Sequence, residues 1–232
     1  MMLFNEALLE TYRQNDVVLQ LLNTTSETDD ANFTSQQWLR ESFPKRMIYS
    51  YLYGDLLNQA TQPRKVLDVG GGYTALTRLL AQKHDYLLLD ILAHDNNTEL
   101  LQVETAFDNR FWSNTDWYEF NPQSGYDLVI ANDIFPNVDQ RLEIFLDRYL
   151  PHCHELRLTL TYYNVPRWYK VKRTDAKEIF HMLAWDGEQV SQVLDGYLDR
   201  IASPDLSYLQ KNPTSLFANQ RQVCMVVLHG DK

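Results

Sequence analysis

The sequence is short of cysteine and of positive charge. Cys153 and Cys224 are the only cysteines in 232 residues, which argues against a disulfide framework and against a zinc site built on cysteine. Lysine and arginine number 21 against 31 aspartates and glutamates, which gives a formal net charge of −10. Because nucleic-acid binding depends on neutralising phosphates, this charge balance disfavours a nucleic acid as partner or substrate.

Long apolar runs are also missing. The chain has no stretch of roughly 18 apolar residues, and its first residues lack a basic segment followed by an apolar core. We therefore predict a cytoplasmic protein that does not associate with a membrane. Hydrophobic residues nevertheless make up 44% of the chain, enough to build the core of one α/β domain with a short extension.

Three of the 8 glycines stand together, at Gly70, Gly71 and Gly72. They follow the short apolar run 65–69, and leucines at helical spacing follow them. This pattern predicts a strand, a tight turn and a helix, which is the opening of a βαβ unit. Asp68 lies just ahead of the glycines, where its charge would repel a pyrophosphate but would suit an amino group.

A second acid indicates a nucleotide-like ligand at the same place. Residues 85–89 form an apolar run typical of a strand buried on both faces, and Asp90 ends it. In nucleotide-binding α/β folds, a carboxylate at the end of the second strand accepts hydrogen bonds from both ribose hydroxyls. Asp90 therefore favours a ribose-containing cofactor, but it does not distinguish one such cofactor from another.

The segment 66–72, Val-Leu-Asp-Val-Gly-Gly-Gly, resembles the first motif of class I S-adenosylmethionine-dependent methyltransferases. Residues 126–130, Tyr-Asp-Leu-Val-Ile, resemble the family's fourth motif, in which a strand ends at the active site. Two positions depart from the family pattern: Thr74 replaces a glycine, and residues 150–154 lack the usual glycine turn. The chain thus resembles a divergent member of the family, over roughly residues 64–229.

The resemblance implies an α/β fold with a Rossmann-like sheet flanked by helices. Seven strands are expected, mostly parallel, with the last one antiparallel. Residues 1–62 would form an N-terminal helical extension or lid, and residues 63–232 the methyltransferase domain. The helices of the extension are also a candidate surface for a homodimer.

The resemblance also implies S-adenosylmethionine as cofactor. Asp68 would lie near its methionine end and Asp90 at its ribose. Asp116 would accept a hydrogen bond from the adenine amino group, with Trp117 packed on the ring. The other candidate cofactor-binding residues are Gly70, Gly71, Gly72, Ile91, Asn132 and Arg46.

The acceptor is expected at the ends of the later strands, because ligands of open α/β sheets bind outside the carboxyl ends of the strands. Asp133 is the best placed candidate for a general base, and Tyr162 and His181 are weaker catalytic candidates. No metal is predicted, because Asp133 and Asn164 would supply too few oxygen ligands. Aromatic residues after the fifth predicted strand favour a small molecule, and we expect O-methylation of a sugar or a secondary metabolite.

Two other classes of function stay open from the sequence. A non-catalytic methyltransferase-like binding or scaffold protein is compatible with the missing glycine turn after residue 150. An NAD-dependent oxidoreductase is disfavoured by Asp68 ahead of the glycines. The remaining secondary-structure predictions are helices over 2–22, 34–57, part of 95–110, 138–150 and 175–203, a strand over 155–161, and two closing strands at 215–218 and 222–229.

Overall fold

The computed structural model describes residues 1–24, 33–92, 95, 98, 101, 103, 105, 110–172, 179–211 and 213–231. These residues contain nine strands, which form a seven-stranded sheet and a separate two-stranded sheet. The strands are β1 (Met2–Leu3), β2 (Lys65–Val69), β3 (Asp85–Leu89), β4 (Trp112–Ser113), β5 (Tyr126–Phe135), β6 (Cys153–Tyr162), β7 (Arg167–Lys172), β8 (Ile179–Ala184) and β9 (Gln222–His229).

Among the described residues, four α-helices precede the central strand β2. In the described residues the α-helices are α1 (Glu6–Arg13), α2 (Val17–Thr24), α3 (Thr34–Glu41), α4 (Phe43–Leu57), α5 (Ala75–Lys83), α6 (Leu142–Tyr149) and α7 (Gly187–Leu194). Short 3₁₀ turns lie at Leu150–His152, Asp195–Tyr197 and Ser207–Gln210. No α-helix within these described ranges is long and apolar enough to cross a bilayer.

The large sheet has the strand order β1-β9-β6-β5-β2-β3-β4. Strands β2, β3 and β4 run parallel to one another, whereas β9 is antiparallel to both β6 and β1. Most residues of the central strands β2, β5 and β6 are buried, as expected for strands covered on both faces. The predicted fold class, a mostly parallel Rossmann-like sheet whose last strand is antiparallel, is therefore confirmed.

Contacts divide the chain into two compact units. The first, here called the glycine-turn unit, comprises Ala7–Asn121 and Tyr126–Ile130. The second, here called the C-terminal unit, comprises Met1–Glu6, Pro122–Gly125 and Ala131–Lys232. The domain boundary predicted between residues 62 and 63 stays a prediction.

The helices of the glycine-turn unit begin where the sequence supplies caps. Ser42 caps α4 by accepting from the backbone N–H of Lys45, and Pro44 lies in the first turn of α4, where its missing N–H costs nothing. Thr74 and Thr77 form a capping box at the start of α5. One apolar cluster of this unit joins α2, α3 and α5 through Val18, Leu22, Leu39, Ala75 and Leu76.

Three secondary-structure predictions in the C-terminal unit are wrong. Residues 2 and 3, expected to begin a helix over 2–22, form β1, which pairs antiparallel with β9. Residues 179–184, expected within a helix over 175–203, form β8, which pairs antiparallel with β7 from Lys172↔Ile179 to Arg167↔Ala184. An apolar run of this length fits either a helix or a strand, and pairing with a neighbour decides. Residues 215–218 form no strand, because Ser215 Oγ accepts from Phe217 N and closes a turn. The helix expected in part of 95–110 falls mostly outside the described residues.

Candidate functional site

The glycine turn leaves β2 in a backbone conformation that glycine favours. Gly70 and Gly72 have φ values of 68° and 69°, a region in which a Cβ atom is unfavourable. The N–H of Gly70 donates to Leu89 O at 2.9 Å, and the N–H of Gly72 donates to Asp90 Oδ2 at 2.9 Å. The turn is therefore fastened to the end of β3 by two hydrogen bonds.

The protein's own side chains fill the space on both sides of this turn. A Cβ atom added at Gly71 would lie 2.5 Å from Asp68 Oδ2, and one added at Gly72 would clash with Ser35 Oγ. Tyr49, on α4, donates its hydroxyl proton to Gly71 O at 2.7 Å. The absence of side chains in the turn is thus required by packing inside this unit, independently of any ligand.

The first N–H groups of α5 already have hydrogen-bond acceptors. Leu76 N and Thr77 N donate to Thr74 Oγ1 at 3.1 and 3.3 Å, and Ala75 N donates to Gln36 Oε1 at 3.0 Å. A dinucleotide pyrophosphate binds to such N–H groups at a helix N-terminus. Occupied donors make this helix start poorly suited to a pyrophosphate.

Asp68 is buried under the glycine turn, with 2% of its surface exposed. Its Oδ1 accepts from the Tyr53 hydroxyl at 3.1 Å and its Oδ2 from the Tyr86 hydroxyl at 2.6 Å. Burial raises the pKa of the Asp68 carboxyl to about 7, and the charge of Asp90 adds to the rise, while the two tyrosine hydroxyls oppose it. Near neutral pH the carboxyl is therefore protonated in part of the molecules.

Tyr53 and Tyr86 were not among the residues predicted for the site. Tyr53 follows Tyr49 by one helical turn on α4. This i, i+4 spacing was the available sign that the two side chains lie on the same face of the helix. Tyr86 lies in β3, whose parallel pairing with β2 places it directly opposite Val66, two residues before Asp68. The part of Asp68 in binding the methionine end of the cofactor stays a prediction.

Asp90 lies half-buried at the end of β3, and backbone N–H groups hold its carboxylate. Oδ2 accepts from Gly72 N at 2.9 Å and Oδ1 from Leu92 N at 2.8 Å. The indole N–H of Trp112 donates to Asp90 O at 2.8 Å and fixes the strand end. Backbone N–H groups therefore fix the orientation of both carboxylate oxygens. Ile91, the next residue, is 43% exposed.

Asp116 and Trp117 follow β4 in a tight turn. Asp116 Oδ1 accepts from Tyr118 N at 2.8 Å, which is an Asx turn. Trp117 is 5% exposed, and its ring meets the Tyr118 ring edge to face at 5.7 Å between centroids. Their predicted contacts with adenine stay predictions.

Arg46 has its main partners within the helical extension. Its Nε donates to Asp16 Oδ2 at 2.8 Å, and its Nη1 donates to the carbonyls of Leu39 and Arg40 at the end of α3. The residue is 7% exposed. In this position Arg46 stabilises the carboxyl end of α3, and its predicted contact with the cofactor stays a prediction.

In the C-terminal unit, Asp133 lies near the carboxyl end of β5 with a positive φ of 58°. Aspartate tolerates this left-handed region better than most residues. Its N–H donates to Thr159 Oγ1, and its Oδ1 accepts from Thr161 Oγ1, both at 2.8 Å. Thr159 in turn donates to Asn132 Oδ1 at 2.8 Å. Two threonines of β6 thus fix the backbone and the carboxylate of Asp133.

Arg221 is the main partner of Asp133 that sequence reasoning missed. Its Nη1 lies 3.0 Å from Asp133 Oδ2, and the two side chains are 13% and 31% exposed. The guanidinium lies over the Phe217 ring at 4.3 Å. Asn137 Nδ2 also donates to Asp133 Oδ1, at 3.1 Å. We call Asp133, Asn137, Thr161 and Arg221 the strand-end cluster.

Tyrosine and arginine side chains surround this cluster. Tyr169 donates to Asn137 O at 3.1 Å, and the Arg167 guanidinium lies over the Tyr163 ring at 4.5 Å. Burial raises the pKa of the Tyr169 hydroxyl and the charge of Asp133 adds to the rise, whereas Arg167 and Arg221 lower it. The charges of Asp133, Arg167 and Arg221 therefore all act on the Tyr169 hydroxyl.

The pairing of β9 explains how Arg221 reaches Asp133 across 88 positions of sequence. Because β9 runs antiparallel to β6, its first residue Gln222 pairs with the last residue of β6, Tyr162. The residue that precedes β9 therefore comes to the end at which β6 finishes. An antiparallel last strand was predicted, and this direction was the available sign that the residue before β9 lies at the end of β6.

The other two predicted catalytic residues lie apart from these hydrogen bonds. Tyr162 is fully buried, and its hydroxyl has no hydrogen-bond partner among the described residues. Burial raises the pKa of this hydroxyl. His181 lies exposed on β8, opposite Lys170. Within the described part of the chain, neither side chain shares a hydrogen bond with Asp133, and the catalytic roles of all three stay predictions.

No protein-family model matches the chain, and no curated protein matches its sequence. Its fold is similar to solved structures. The N-methyltransferase NodS from Bradyrhizobium japonicum WM9, in complex with S-adenosyl-L-homocysteine (SAH), has a TM-score of 0.52 at 14% identity, covering 94% of this chain and 100% of NodS. The DhpI–SAH complex has a TM-score of 0.51 at 14% identity, covering 99% of this chain and 100% of DhpI.

A third similar structure is the N-terminal domain of EvdMO1, solved in the presence of SAH and D-fucose. It has a TM-score of 0.50 at 10% identity, and the match covers 79% of this chain and 81% of that one. These similarities agree with the strand order and with the antiparallel last strand. The chain therefore has the class I S-adenosylmethionine-dependent methyltransferase fold.

Proposed function

We propose that this protein is an S-adenosylmethionine-dependent methyltransferase that methylates a small molecule at oxygen, with a sugar or a secondary metabolite as acceptor. One observation carries the cofactor assignment: the Asp90 carboxylate is held at the end of β3 by Gly72 N and Leu92 N. It is oriented before any ligand arrives, and a carboxylate is a suitable hydrogen-bond acceptor for ribose hydroxyls. The structures of NodS and DhpI, which share the fold, contain SAH.

The residues of the glycine turn fit the cofactor. Asp90 would accept from the ribose hydroxyls, and Ile91, which is exposed, would cover apolar surface of the ligand. Gly70 and Gly72 allow the backbone to come close to it. Asp68 places a partly ionised carboxyl beneath the turn, which suits a ligand with positive charge. When bound, S-adenosylmethionine supplies an activated methyl group, and the protein mainly has to orient the acceptor.

Calorimetric titration with S-adenosylmethionine, SAH and NAD tests this assignment, on the natural protein and on Asp90→Ala. We expect micromolar binding of the first two ligands and at least a hundred-fold loss of affinity in Asp90→Ala. Because this variant also removes two hydrogen bonds of the turn, Thr77→Val is the matched control. It removes the bond from Thr77 Oγ1 to Gly72 O and the bond that Thr77 Oγ1 accepts from Thr74 N. Because the carboxylate stays in place, the affinity of this variant should fall far less.

The two alternative functions, a scaffold protein and an oxidoreductase, predict different results in these titrations. A scaffold protein would bind none of the three ligands while remaining folded, as judged by circular dichroism. An oxidoreductase would bind NAD in preference, and the occupied N–H groups at the start of α5 argue against that. Equal loss of affinity in Thr77→Val and Asp90→Ala would contradict a direct contact between Asp90 and the ligand.

The proposal also covers the acceptor, the oligomeric state and the cellular location. The presence of D-fucose with the EvdMO1 domain supports a sugar acceptor here, and radiolabelled methyl transfer to a panel of monosaccharides and phenols tests it. A homodimer through the N-terminal helices stays a proposal, to be tested by sedimentation. We also keep the proposals of a cytoplasmic location and of no nucleic-acid partner.

A further inference from the structure

Arg221 stands out among the buried polar groups of the C-terminal unit. Its Nε is buried and has no hydrogen-bond partner among the described residues. A buried N–H without a partner is destabilising, and more so when the group is charged. The same residue is otherwise well fixed, since its Nη1 pairs with Asp133 and its guanidinium stacks on Phe217.

The hydrogen bonds of the guanidinium show which of its edges lacks a partner among the described residues. Asp133 takes the Nη1 end, and the Nε–Nη2 edge makes no hydrogen bond within the described residues. This edge presents two parallel N–H groups, a fork that matches the two oxygens of a carboxylate or a phosphate-type group. Arg167, whose guanidinium lies over the Tyr163 ring, and Arg221 both lower the pKa of the Tyr169 hydroxyl, so a second positive charge lies in the same neighbourhood as Arg221.

The carboxylate of the strand-end cluster is already paired with a cation. Both carboxylate oxygens of Asp133 accept hydrogen bonds, from Thr161 and Asn137 on one side and from Arg221 on the other. The Tyr162 hydroxyl is fully buried. An acceptor with a neutral hydroxyl needs a base to remove its proton, whereas an oxyanion attacks without one. The cluster therefore suits an acceptor that arrives already ionised.

We propose that the acceptor is an organic oxyanion, a carboxylate or a phosphate-type group, that binds the Nε–Nη2 edge of Arg221 and is methylated on that group. This rests on the proposed function. In the step, an anionic oxygen attacks the methyl carbon, the carbon–sulfur bond breaks, and its electron pair goes to sulfur. The sulfonium and the anion become a neutral thioether and a neutral or less charged ester, and no proton is released.

Binding of matched aromatic probes tests the first half of this proposal. We would titrate benzoate, phenylphosphonate, benzamide and benzylamine into the protein, with and without SAH. We expect both anions to bind at least ten-fold more tightly than benzamide and benzylamine. Arg221→Gln should abolish the preference, and Arg221→Lys, which keeps the charge and loses the fork, should retain part of it.

Arg200→Gln is the matched control for net charge. Arg200 pairs with Asp231 and lies beside His229, at the opposite end of β9. Its substitution should leave anion binding unchanged, and thermal unfolding of each variant shows whether it folds. Equal binding of benzamide, no binding of either anion, or anion binding that persists in Arg221→Gln would overturn the proposal. Since titrations without SAH need no cofactor, this failure is distinguishable from failure of the proposed function.

A probe with two acceptor groups tests the second half. With 4-hydroxybenzoate and radiolabelled S-adenosylmethionine in weak buffer, transfer to the carboxylate gives a methyl ester and releases no proton. Transfer to the phenol gives an ether and releases a proton. We expect the ester without acidification. Formation of the ether, or no product from a probe that binds through Arg221, would contradict methylation at the oxyanion.

Discussion

Asp68 and Asp133 both lie near the carboxyl end of a strand in the seven-stranded sheet, yet their partners differ in kind. Asp68 is enclosed in the glycine-turn unit, where two neutral tyrosine hydroxyls are its donors. Asp133 is partly exposed in the C-terminal unit, where a guanidinium, a threonine and an asparagine hold it. Burial without a positive partner favours the protonated form of Asp68, whereas Asp133 forms an ion pair with Arg221.

The difference shows that a residue type and a strand end do not define a role. Both aspartates occur in segments that resemble family motifs, and both were predicted as site residues. The structure gives one of them a protonation equilibrium near neutral pH and makes the other part of an ion pair. Four sets of substitutions would break or sharpen this contrast, and they follow from the largest expected effect to the smallest.

Replacing Asp68 by asparagine should change how stability depends on pH. The folded protein binds the Asp68 proton with a pKa of about 7, above the unfolded value of about 4. The stability that the raised pKa of Asp68 contributes is therefore fully present below about pH 4 and is lost as the pH rises to about 7. The free energy of unfolding falls by up to about 1.4 kcal/mol per pH unit over this range. Urea unfolding of both proteins between pH 5 and pH 8 should show natural Asp68 losing stability relative to Asp68→Asn. A constant difference would contradict the raised pKa.

Removing the carboxylate of Asp133 should destabilise the C-terminal unit at all pH values near neutrality. Asp133→Ala leaves the guanidinium of Arg221 without its counter-ion, and we expect a loss of about 2–3 kcal/mol, less than for a fully buried pair. Asp231→Ala breaks the exposed pair with Arg200 and should cost less than about 1 kcal/mol. Similar losses in the two variants, measured by urea unfolding, would show that Arg221 does not need Asp133.

The two tyrosines beside Asp68 should contribute unequally. The Tyr86 hydroxyl lies 2.6 Å from Asp68 Oδ2, and the Tyr53 hydroxyl lies 3.1 Å from Oδ1. At pH 8 we expect Tyr86→Phe to cost about 2 kcal/mol and Tyr53→Phe about 1 kcal/mol, because hydrogen bonds to charged groups are the stronger ones. Both losses should shrink at pH 5, where Asp68 is protonated. The reverse order of the two losses would be inconsistent with these distances.

The smallest effect is expected at Thr161. Thr161→Val keeps the shape of a buried side chain and removes one donor to Asp133, for an expected loss of about 1 kcal/mol. Thr159→Val removes one acceptor and one donor, at Asp133 N and at Asn132, and should cost somewhat more. Calorimetric unfolding of the two variants checks this order, and a neutral Thr159→Val would argue against a role in fixing Asp133.

Local sequence was sufficient where a feature is built from neighbouring residues. The run 65–72 contains the strand, the turn and the acid, and Asp90 ends the next strand, so the glycine turn could be predicted. It could not show that Tyr53 and Tyr86 would take both oxygens of Asp68, since these residues come from α4 and β3. Side-chain contacts between separate elements carry no local signature.

The same reason explains the errors farther along the chain. Residues 179–184 contain enough apolar positions for a helix, and only pairing with β7 makes them a strand. Arg221 stands just before the predicted strand 222–229, and the antiparallel direction of β9 brings it to Asp133. In both cases the deciding partner lies elsewhere in sequence, so a pattern confined to one segment could not identify it.

The close packing of the glycine turn has a consequence for how such motifs are used as markers. Asp68 and Ser35 would obstruct a side chain at Gly71 and Gly72 respectively, so a copy of this gene that no longer served a cofactor would still lose stability if either glycine changed. Selection for folding alone would therefore preserve the motif. A survey that counts this glycine pattern across genomes would include inactive descendants together with working enzymes.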